Sequence, residues 1–247
     1  MSKKEWFASW FDTSFYHKLY RERNAEEARH FIQNLLEFIQ LPPDSKVLDL
    51  ACGKGRHSIT LNDFGMNVLG ADLSEKSIEF AKKFENDTLH FRVQDMRCPI
   101  ENKKFDAVFN LFTSFGYFES DEENQKVLNC ISSMLNPAGL FIFDYLNLDT
   151  TLAQLKKKES KDVDGIHFEI TKNFDGQFFR KNISVLSNGE TFEFEEKVRG
   201  YSIEEIENMM QEANLTPIER FGDFHLNPYH QSTSERLILI CKKVPEL

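Results

Sequence analysis

Apolar residues recur along the chain in two patterns, one typical of helices and the other of buried strands. Between residues 24 and 40 they recur at helical spacing, and Leu41-Pro42-Pro43 ends that helix. Further helices are predicted at 56–64, 75–86 and 121–135, and strands at 46–50, 67–73, 89–95, 105–112 and 140–146. We expect Gly65 to be the C-cap of the second helix and Ser74 the N-cap of the third. Strands that alternate with helices predict an α/β fold, doubly wound around a mostly parallel sheet.

The pattern changes after Asp149, where strands follow one another without helices between them. Asp175-Gly176 and Asn188-Gly189 are residue pairs typical of tight hairpins. The three strands that they join are predicted at 166–173, 177–186 and 190–199. We therefore expect a small antiparallel β insert in the fold. A helix at 202–213 and strands at 217–224 and 236–242 are predicted to complete the main sheet.

Composition narrows the class of partner. The net charge of −10 repels phosphate backbones, so we expect no nucleic-acid partner. The only lysine run, 156–158, is interpreted as a solvated helix end. The four cysteines form no C-x-x-C pair, no signal peptide is visible, and no apolar run is long enough to cross a membrane, so we expect a cytoplasmic protein without membrane contact. The 24 Phe predict an aromatic core, with some rings left to line a pocket.

A glycine loop, Gly53-Lys54-Gly55, separates the first predicted strand of the sheet from the helix that follows it. Glycines there let the backbone approach a ligand, and the free N–H groups of the helix start attract polar groups. Asp49 precedes the loop, where a buried carboxylate is costly unless it is hydrogen-bonded. Asp72 and Asp95 end the next two strands, at the sheet edge where such folds bind ligands. Together these features outline a nucleoside site.

Two cofactors share this arrangement of strand, glycine loop, helix and acid. In the NAD fingerprint G-x-G-x-x-G the third glycine would be Ser58 here, which disfavours NAD, and the acid Asp49 before the loop favours S-adenosylmethionine. NAD binding stays an alternative at this point.

The run from Val47 to Leu146 resembles the class I S-adenosylmethionine-dependent methyltransferases of the small-molecule branch. Their glycine-rich first motif is matched by Asp49-x-Ala51-Cys52-Gly53-x-Gly55-Arg56, and their turn before the fifth strand by residues 135–140, with Ala138 where glycine is commoner. The resemblance implies a Rossmann-like, doubly wound seven-stranded sheet, mostly parallel with an antiparallel last strand. It also implies S-adenosylmethionine as cofactor and S-adenosylhomocysteine as product.

The resemblance carries roles to the residues at the strand ends. Gly53 and Gly55 would contact the methionine part, Asp72 the ribose hydroxyls and Asp95 the adenine amino group. A segment before the first long helix would cover the cofactor. The full set expected to bind the cofactor is Tyr16, Tyr20, Arg23, Asp49, Ala51, Cys52, Gly53, Gly55, Arg56, Asp72, Leu73, Ser74, Gln94, Asp95, Met96, Asn110 and Leu111.

We expect the acceptor to be a small molecule, methylated at nitrogen or oxygen. The fourth strand lacks the Pro-Pro-aromatic that in this superfamily accompanies methylation of base or amide nitrogens, and no carboxylate cluster predicts a metal. Residues that either line the acceptor pocket or belong to the core are Phe112, Ser114, Phe115, Tyr117, Tyr145, Asn147, Arg180 and Tyr229.

Methyl transfer depends mainly on position, so a catalytic residue need not be visible in the sequence. Tyr20, His225 and His230 are the candidates, a histidine because its pKa lies near neutrality. We expect one domain, 1–247, with a helical lid at 1–45, a cofactor core at 46–149, the insert at 163–200 and a closing helix and hairpin at 201–247. The insert covers the acceptor side or forms a homodimer contact. A non-methyl transfer from the same donor, and cofactor binding without turnover, stay open.

Overall fold

The computed structural model describes residues 6–20 and 25–244. Its first three helices are α1 (Trp6–Trp10), α2 (Ser14–Leu19) and α3 (Ala25–Ile39). The Thr13 side chain caps α2 by accepting a hydrogen bond from the backbone N–H of Tyr16 at 3.1 Å. The apolar stripe of α3 is buried against the main sheet, as its helical spacing predicts.

Strands and helices alternate through the middle of the chain, as the apolar pattern predicts. They are β1 (Lys46–Leu50), α4 (Arg56–Asp63), β2 (Asn67–Asp72), α5 (Glu75–Ala81), β3 (Leu89–Val93), β4 (Phe105–Asn110), α6 (Asp121–Met134) and β5 (Leu135–Leu146). A 3₁₀ turn, Lys82–Phe84, continues α5. The predicted N-cap is confirmed, because the Ser74 hydroxyl accepts from the Ser77 N–H at 3.0 Å. The C-cap of α4 is Phe64, and Gly65 follows it with the left-handed φ of +86° that ends the helix.

The last third of the chain carries the second sheet and the end of the first. Its elements are α7 (Leu148–Ala153), β6 (Lys158–Val163), β7 (Ile166–Phe174), β8 (Phe178–Ser187), β9 (Glu190–Arg199), α8 (Ile203–Glu212), β10 (Leu215–Phe221) and β11 (Arg236–Lys243). The main sheet has seven strands in the order β10-β11-β5-β4-β1-β2-β3, and β11 runs antiparallel to its neighbours. The predicted seven-stranded fold with an antiparallel last strand is confirmed.

The insert is a separate antiparallel sheet in the order β6-β7-β8-β9. The sequence predicts only three of these strands, and the interpretation of residues 156–158 as a helix end is wrong, because Lys158 begins β6. That strand lies at the edge of the insert and buries only Val163, so it lacks the apolar alternation that marks a strand. Its place is fixed instead by pairing with β7 and by an ion pair between Glu159 and Lys172 at 2.8 Å.

The apolar core has three parts, two of which flank the main sheet. The third lies between the insert and the helices α1 and α2, where Trp10 and Leu19 pack with Phe168 and Ile183. The first helices are therefore held by the insert and lie over the carboxyl edge of the main sheet. No helix within 6–20 or 25–244 is long and apolar enough to span a bilayer.

Candidate functional site

A cavity of about 330 Å³ lies at the carboxyl edge of the main sheet. Its walls come from the loop after β1, the ends of β2 and β4, the helices α1 and α2, and strand β9. It is lined by Trp6, Phe11, Tyr16, His17, Tyr20, Ala51, Cys52, Gly53, Lys54, Arg56, His57, Asp72, Ser77, Leu111, Phe112, Ser114, Tyr117, Glu196 and Val198. The cavity thus joins the predicted nucleoside site to elements distant in sequence.

The glycine loop, residues 51–55, turns sharply between β1 and α4. Ala51, Gly53 and Gly55 all have positive φ, at +63°, +56° and +85°. A Cβ on Gly55 would lie 2.7 Å from the Phe91 ring, whereas a Cβ on Gly53 would meet nothing within 4 Å. Gly55 is therefore required for packing beneath the loop, and Gly53 leaves open space on the cavity side.

Asp72 is the acidic group that ends β2 and lines the cavity. One carboxylate oxygen accepts from the Gly53 N–H and the other from the Ser74 N–H, each at 2.8 Å. Burial raises the pKa of Asp72, and these backbone hydrogen bonds oppose the rise. Each carboxylate oxygen has a second lone pair, so Asp72 can also accept from hydroxyls of a ligand in the cavity.

Asp49 lies behind the loop, outside the cavity lining. It is buried and accepts from the Ser58 hydroxyl at 2.5 Å. Burial raises the pKa of Asp49 to about 6, with the hydrogen bond from Ser58 acting in the opposite direction. Ser58, which occupies the third position of the NAD fingerprint, thus ties α4 to the end of β1.

The end of β3 is arranged around an ion pair. Arg97 contacts Asp95 at 2.6 Å and Glu123 at 2.8 Å. Burial alone would raise the pKa of Asp95, but hydrogen bonds and charge from Arg97 lower it. The Gln94 side-chain amide donates to backbone carbonyls of Asp95 and Cys98. Asp95 lies at the predicted sheet edge but outside the cavity lining, with its carboxylate already paired.

The turn after β4 is held by a buried ion pair. Asp144, fully buried on β5, lies 2.7 Å from Arg236 and accepts from the Phe112 N–H at 2.7 Å. Phe112 and Thr113 both have positive φ, and the Thr113 hydroxyl accepts from Arg236 at 2.8 Å. Burial raises the pKa of Asp144, and the Arg236 charge opposes the rise. The pair fixes the Phe112 ring in the cavity wall, with Arg56 4.6 Å from its centre.

Asn110 ends β4 next to this turn and is fully buried. Its amide nitrogen donates to the Leu50 carbonyl at 3.1 Å, but its Oδ1 has no hydrogen-bond partner in the described part of the chain. A buried acceptor without a partner is costly, so a polar ligand or a water that donates to it would stabilise the site.

The side of the cavity opposite the glycine loop is an aromatic wall formed by Trp6, Phe11, Tyr16, Tyr20 and Tyr117. Neighbouring rings contact one another with centroids 4.9 to 5.7 Å apart. This packing fixes the rings as one surface.

Glu196 on β9 supplies the carboxylate of this side. It accepts from the Tyr20 hydroxyl and the Trp10 indole N–H, both at 2.7 Å, and lies 3.6 Å from the Lys181 ammonium. Lys181 in turn donates to the Tyr20 oxygen at 2.5 Å. A carboxylate within an aromatic wall is suited to an amine or a cation.

Residues 41–214 match the model of the methyltransferase domain family. The match covers more than half of the chain. The chain belongs to this family. The prediction of an S-adenosylmethionine-dependent methyltransferase is confirmed.

Relatives of the methyltransferase cover most of its length. YqeM of Bacillus subtilis (strain 168) is 29% identical over 213 residues, 82% of this chain and 86% of its own. Glycine/sarcosine N-methyltransferase of Aphanothece halophytica is 27% identical over 237 residues, 90% of this chain and 83% of its own. The solved structure of an S-adenosylmethionine-dependent methyltransferase from Clostridium acetobutylicum ATCC 824 has a TM-score of 0.80 and 24% identity, covering 94% and 97% of the two chains.

The methyltransferase brings about half of the predicted cofactor residues to the cavity. Those in its lining are Tyr16, Tyr20, Ala51, Cys52, Gly53, Arg56, Asp72 and Leu111. Those at the same sheet edge but outside the lining are Asp49, Gly55, Leu73, Ser74, Gln94, Asp95, Met96 and Asn110. Arg23 lies outside the described residues.

Of the residues predicted for the acceptor, Phe112, Ser114 and Tyr117 line the cavity. Phe115 and Tyr145 are fully buried in the core behind it, where the Tyr145 hydroxyl donates to the Arg199 carbonyl. Arg180 is held outside by Asp175 and Glu195, at 2.8 and 3.0 Å. Asn147 and Tyr229, like the candidate histidines His225 and His230, lie outside the cavity lining.

Asn147 caps α7 and, with Tyr229, lines a separate small cavity beside α8. The Asn147 amide donates to two carbonyls of the loop before β11, at 2.7 and 2.8 Å. His225 and His230 are exposed residues of that loop and line none of the cavity. The geometry lends these four predictions no support.

Several lining residues escape sequence analysis, among them Trp6, Phe11, His17 and Glu196. Trp6 and Phe11 lie within the predicted lid but were not singled out, and Glu196 is one of four glutamates in β9. Only the fold, which lays α1 and α2 on the insert, distinguishes them from ordinary surface residues.

Proposed function

We propose that this methyltransferase transfers a methyl group from S-adenosylmethionine to the amino nitrogen of a small molecule. The observation that carries the proposal is the aromatic wall that surrounds Glu196 in the cavity shared with the glycine loop. The name of the glycine/sarcosine N-methyltransferase relative gives the same choice of atom. Nitrogen is favoured over oxygen because a carboxylate and aromatic faces both attract an amine.

The donor would be held by the residues at the strand ends. Its ribose hydroxyls would donate to Asp72, and its methionine part would lie on the open side of Gly53. The ammonium of that part would supply the hydrogen bond that Asn110 Oδ1 lacks. Bound there, S-adenosylmethionine supplies an activated methyl group for displacement.

The acceptor would lie between Glu196 and the aromatic wall. Tyr20 and Trp10 orient the Glu196 carboxylate, which keeps lone pairs for an amine N–H. Tyr20 is thus a positioning residue, and the cavity would align the amine with the donor methyl group. Lys181, at 3.6 Å from Glu196, fixes the carboxylate in place.

We further propose a cytoplasmic location, one domain, no nucleic-acid partner and a homodimer formed through the insert. Four free cysteines support a reducing compartment, and the net charge of −10 disfavours a nucleic acid. The edge strand β6 offers unpaired backbone groups for a contact between copies.

Calorimetric titration with S-adenosylmethionine, S-adenosylhomocysteine and NAD tests the donor site. We expect binding of the first two but not of NAD. Asp72→Asn, which keeps the shape of the side chain, should weaken binding about tenfold or more, because hydrogen bonds to a charged group contribute about 1.5–3 kcal/mol. The exposed Asp87→Asn is the matched control. If neither S-adenosylmethionine nor S-adenosylhomocysteine bound, the assignment of the donor site would be contradicted.

A panel of small amines and alcohols, assayed by mass spectrometry with the donor present, tests the acceptor. We expect methylated amines and no methyl ethers. Products methylated only at oxygen would refute the choice of nitrogen but leave the methyltransferase intact.

A further inference from the structure

A second hollow adjoins the cavity on the outer side of α5. We name it the lysine groove; its volume is about 900 Å³. Its lining is Asp12, Thr13, Ser14, Phe15, His17, Lys54, Lys76, Glu79, Phe80, Lys83, Phe192 and Phe194. His17 and Lys54 line both the groove and the cavity, so the two spaces are contiguous.

Three ammonium groups surround the lysine groove. Lys54 and Lys83 lie over the Phe80 ring, 5.0 and 5.3 Å from its centre, and Lys76 donates to the Asp12 carbonyl at 3.3 Å. Among the described residues, none of the three forms an ion pair with a carboxylate. Two like charges held over one aromatic ring repel each other unless an anion lies near them.

The two carboxylates of the groove, Asp12 and Glu79, offset only part of this charge and leave the lining with one net positive charge. Asp12 accepts a short hydrogen bond from the Ser74 hydroxyl, and Glu79 is exposed on α5. Burial, with a further contribution from Lys54, lowers the pKa of His17 to about 4, so His17 is neutral and can serve as a hydrogen-bond donor or acceptor. Three unpaired lysines are unexpected in a chain with 40 acidic and 30 basic residues.

We propose that the lysine groove binds a phosphate-bearing part of the acceptor, whose amine end lies at Glu196. This inference rests on the proposed function, since it gives the same acceptor a second point of attachment. Lysines bind phosphate as point charges. Three of them are better suited to a ligand with a multiply charged phosphate group than to a ligand with a single carboxylate. The volume of the groove also exceeds what a single carboxylate would fill.

Titration with inorganic pyrophosphate, in the presence of saturating S-adenosylhomocysteine, tests the groove without any need for turnover. The variant is Lys76→Gln with Lys83→Gln, which leaves the cavity lining intact. The matched control is Lys103→Gln. Lys103 is an exposed lysine in the loop before β4, at the amino edge of the main sheet and so on the side away from the cavity. We expect pyrophosphate to bind and the double variant to weaken it about tenfold or more, while the control leaves it unchanged.

Three results would overturn the proposal: no binding of pyrophosphate, equal loss in the double variant and the control, or equally tight binding of succinate. A fourth would refute the link to the acceptor. Once an amine that carries a phosphate has been found as a substrate, pyrophosphate should inhibit competitively against that amine, and noncompetitive inhibition would mean a free anion that regulates the enzyme. Failure of S-adenosylhomocysteine to bind would refute the proposed function instead, and pyrophosphate binding can then still be measured alone.

Discussion

The two sides of the cavity are built in different ways. The donor side comes from strand ends and the glycine loop, all within residues 49–112, and its polar groups contact near neighbours. The acceptor side joins α1 and α2 to β9, and its central hydrogen bond links Trp10 to Glu196 across 186 positions. A short motif therefore identifies the donor, whereas acceptor choice depends on how distant elements meet. The predictions below test that contrast.

The largest effect on stability is expected at Arg236, which holds the turn after β4 between the two sides of the cavity. Arg236→Met leaves Asp144 buried without its counter-charge, which should lower the free energy of unfolding by about 3–5 kcal/mol. Urea denaturation measures the change. Arg220→Met, which removes a more exposed pair with Glu207, should cost less than about 1 kcal/mol. Equal losses in the two variants would show that the buried pair does not hold the turn.

The next effect concerns Asp49 and pH. Its pKa of about 6 lies above the unfolded value of 3.8, so the folded protein binds this proton more tightly than the unfolded chain does. The stability that the proton contributes is fully present below pH 3.8 and is lost as the pH rises through 6. Relative to Asp49→Asn, the wild type should lose about 2–3 kcal/mol of unfolding free energy between pH 4 and pH 7.

Urea denaturation of both proteins at the two pH values measures this difference. Asparagine keeps an oxygen that can accept from Ser58, so the comparison isolates the charge. A constant difference between the proteins would contradict a raised pKa for Asp49.

The glycine loop offers a matched pair of smaller effects. Gly55→Ala places a Cβ 2.7 Å from Phe91 at a φ of +85°, whereas Gly53→Ala meets no atom within 4 Å. Both substitutions incur the strain of a positive φ, about 1 kcal/mol, but only the first adds overpacking, typically 1–3 kcal/mol. Thermal denaturation should therefore rank Gly55→Ala well below Gly53→Ala. The reverse order would mean that Phe91 moves aside.

The smallest effect separates the two sides of the cavity directly. Glu196→Gln keeps the shape of the side chain but removes its charge, so KM for an amine should rise about tenfold while S-adenosylhomocysteine affinity changes less than about twofold. Steady-state kinetics and calorimetry measure the two quantities. Loss of donor affinity would mean that the acceptor wall also holds the donor.

The features of the fold that the sequence predicts are those with a local signal. The alternation of strands and helices, the glycine loop and the acids at strand ends all lie in short segments with their own periodicity or spacing. Strand β6 was missed because its residues are polar and its place depends on pairing with β7. The two roles of aromatic residues could not be separated either: Phe112 and Phe115 are three positions apart, yet one lines the cavity and the other belongs to the core.

The hydrogen bond between Trp10 and Glu196 has a consequence for the order in which the parts of the chain fold during synthesis. A ribosome makes the chain from its first residue, and local contacts form before distant ones because long loops are entropically costly to close. The glycine loop can therefore fold soon after β2 emerges, whereas α1 and α2 must wait for β9 before they can settle. Helices α1 and α2 are thus made before the glycine loop but reach their native positions after it, and the acceptor side of the active site forms only after β9 has been made.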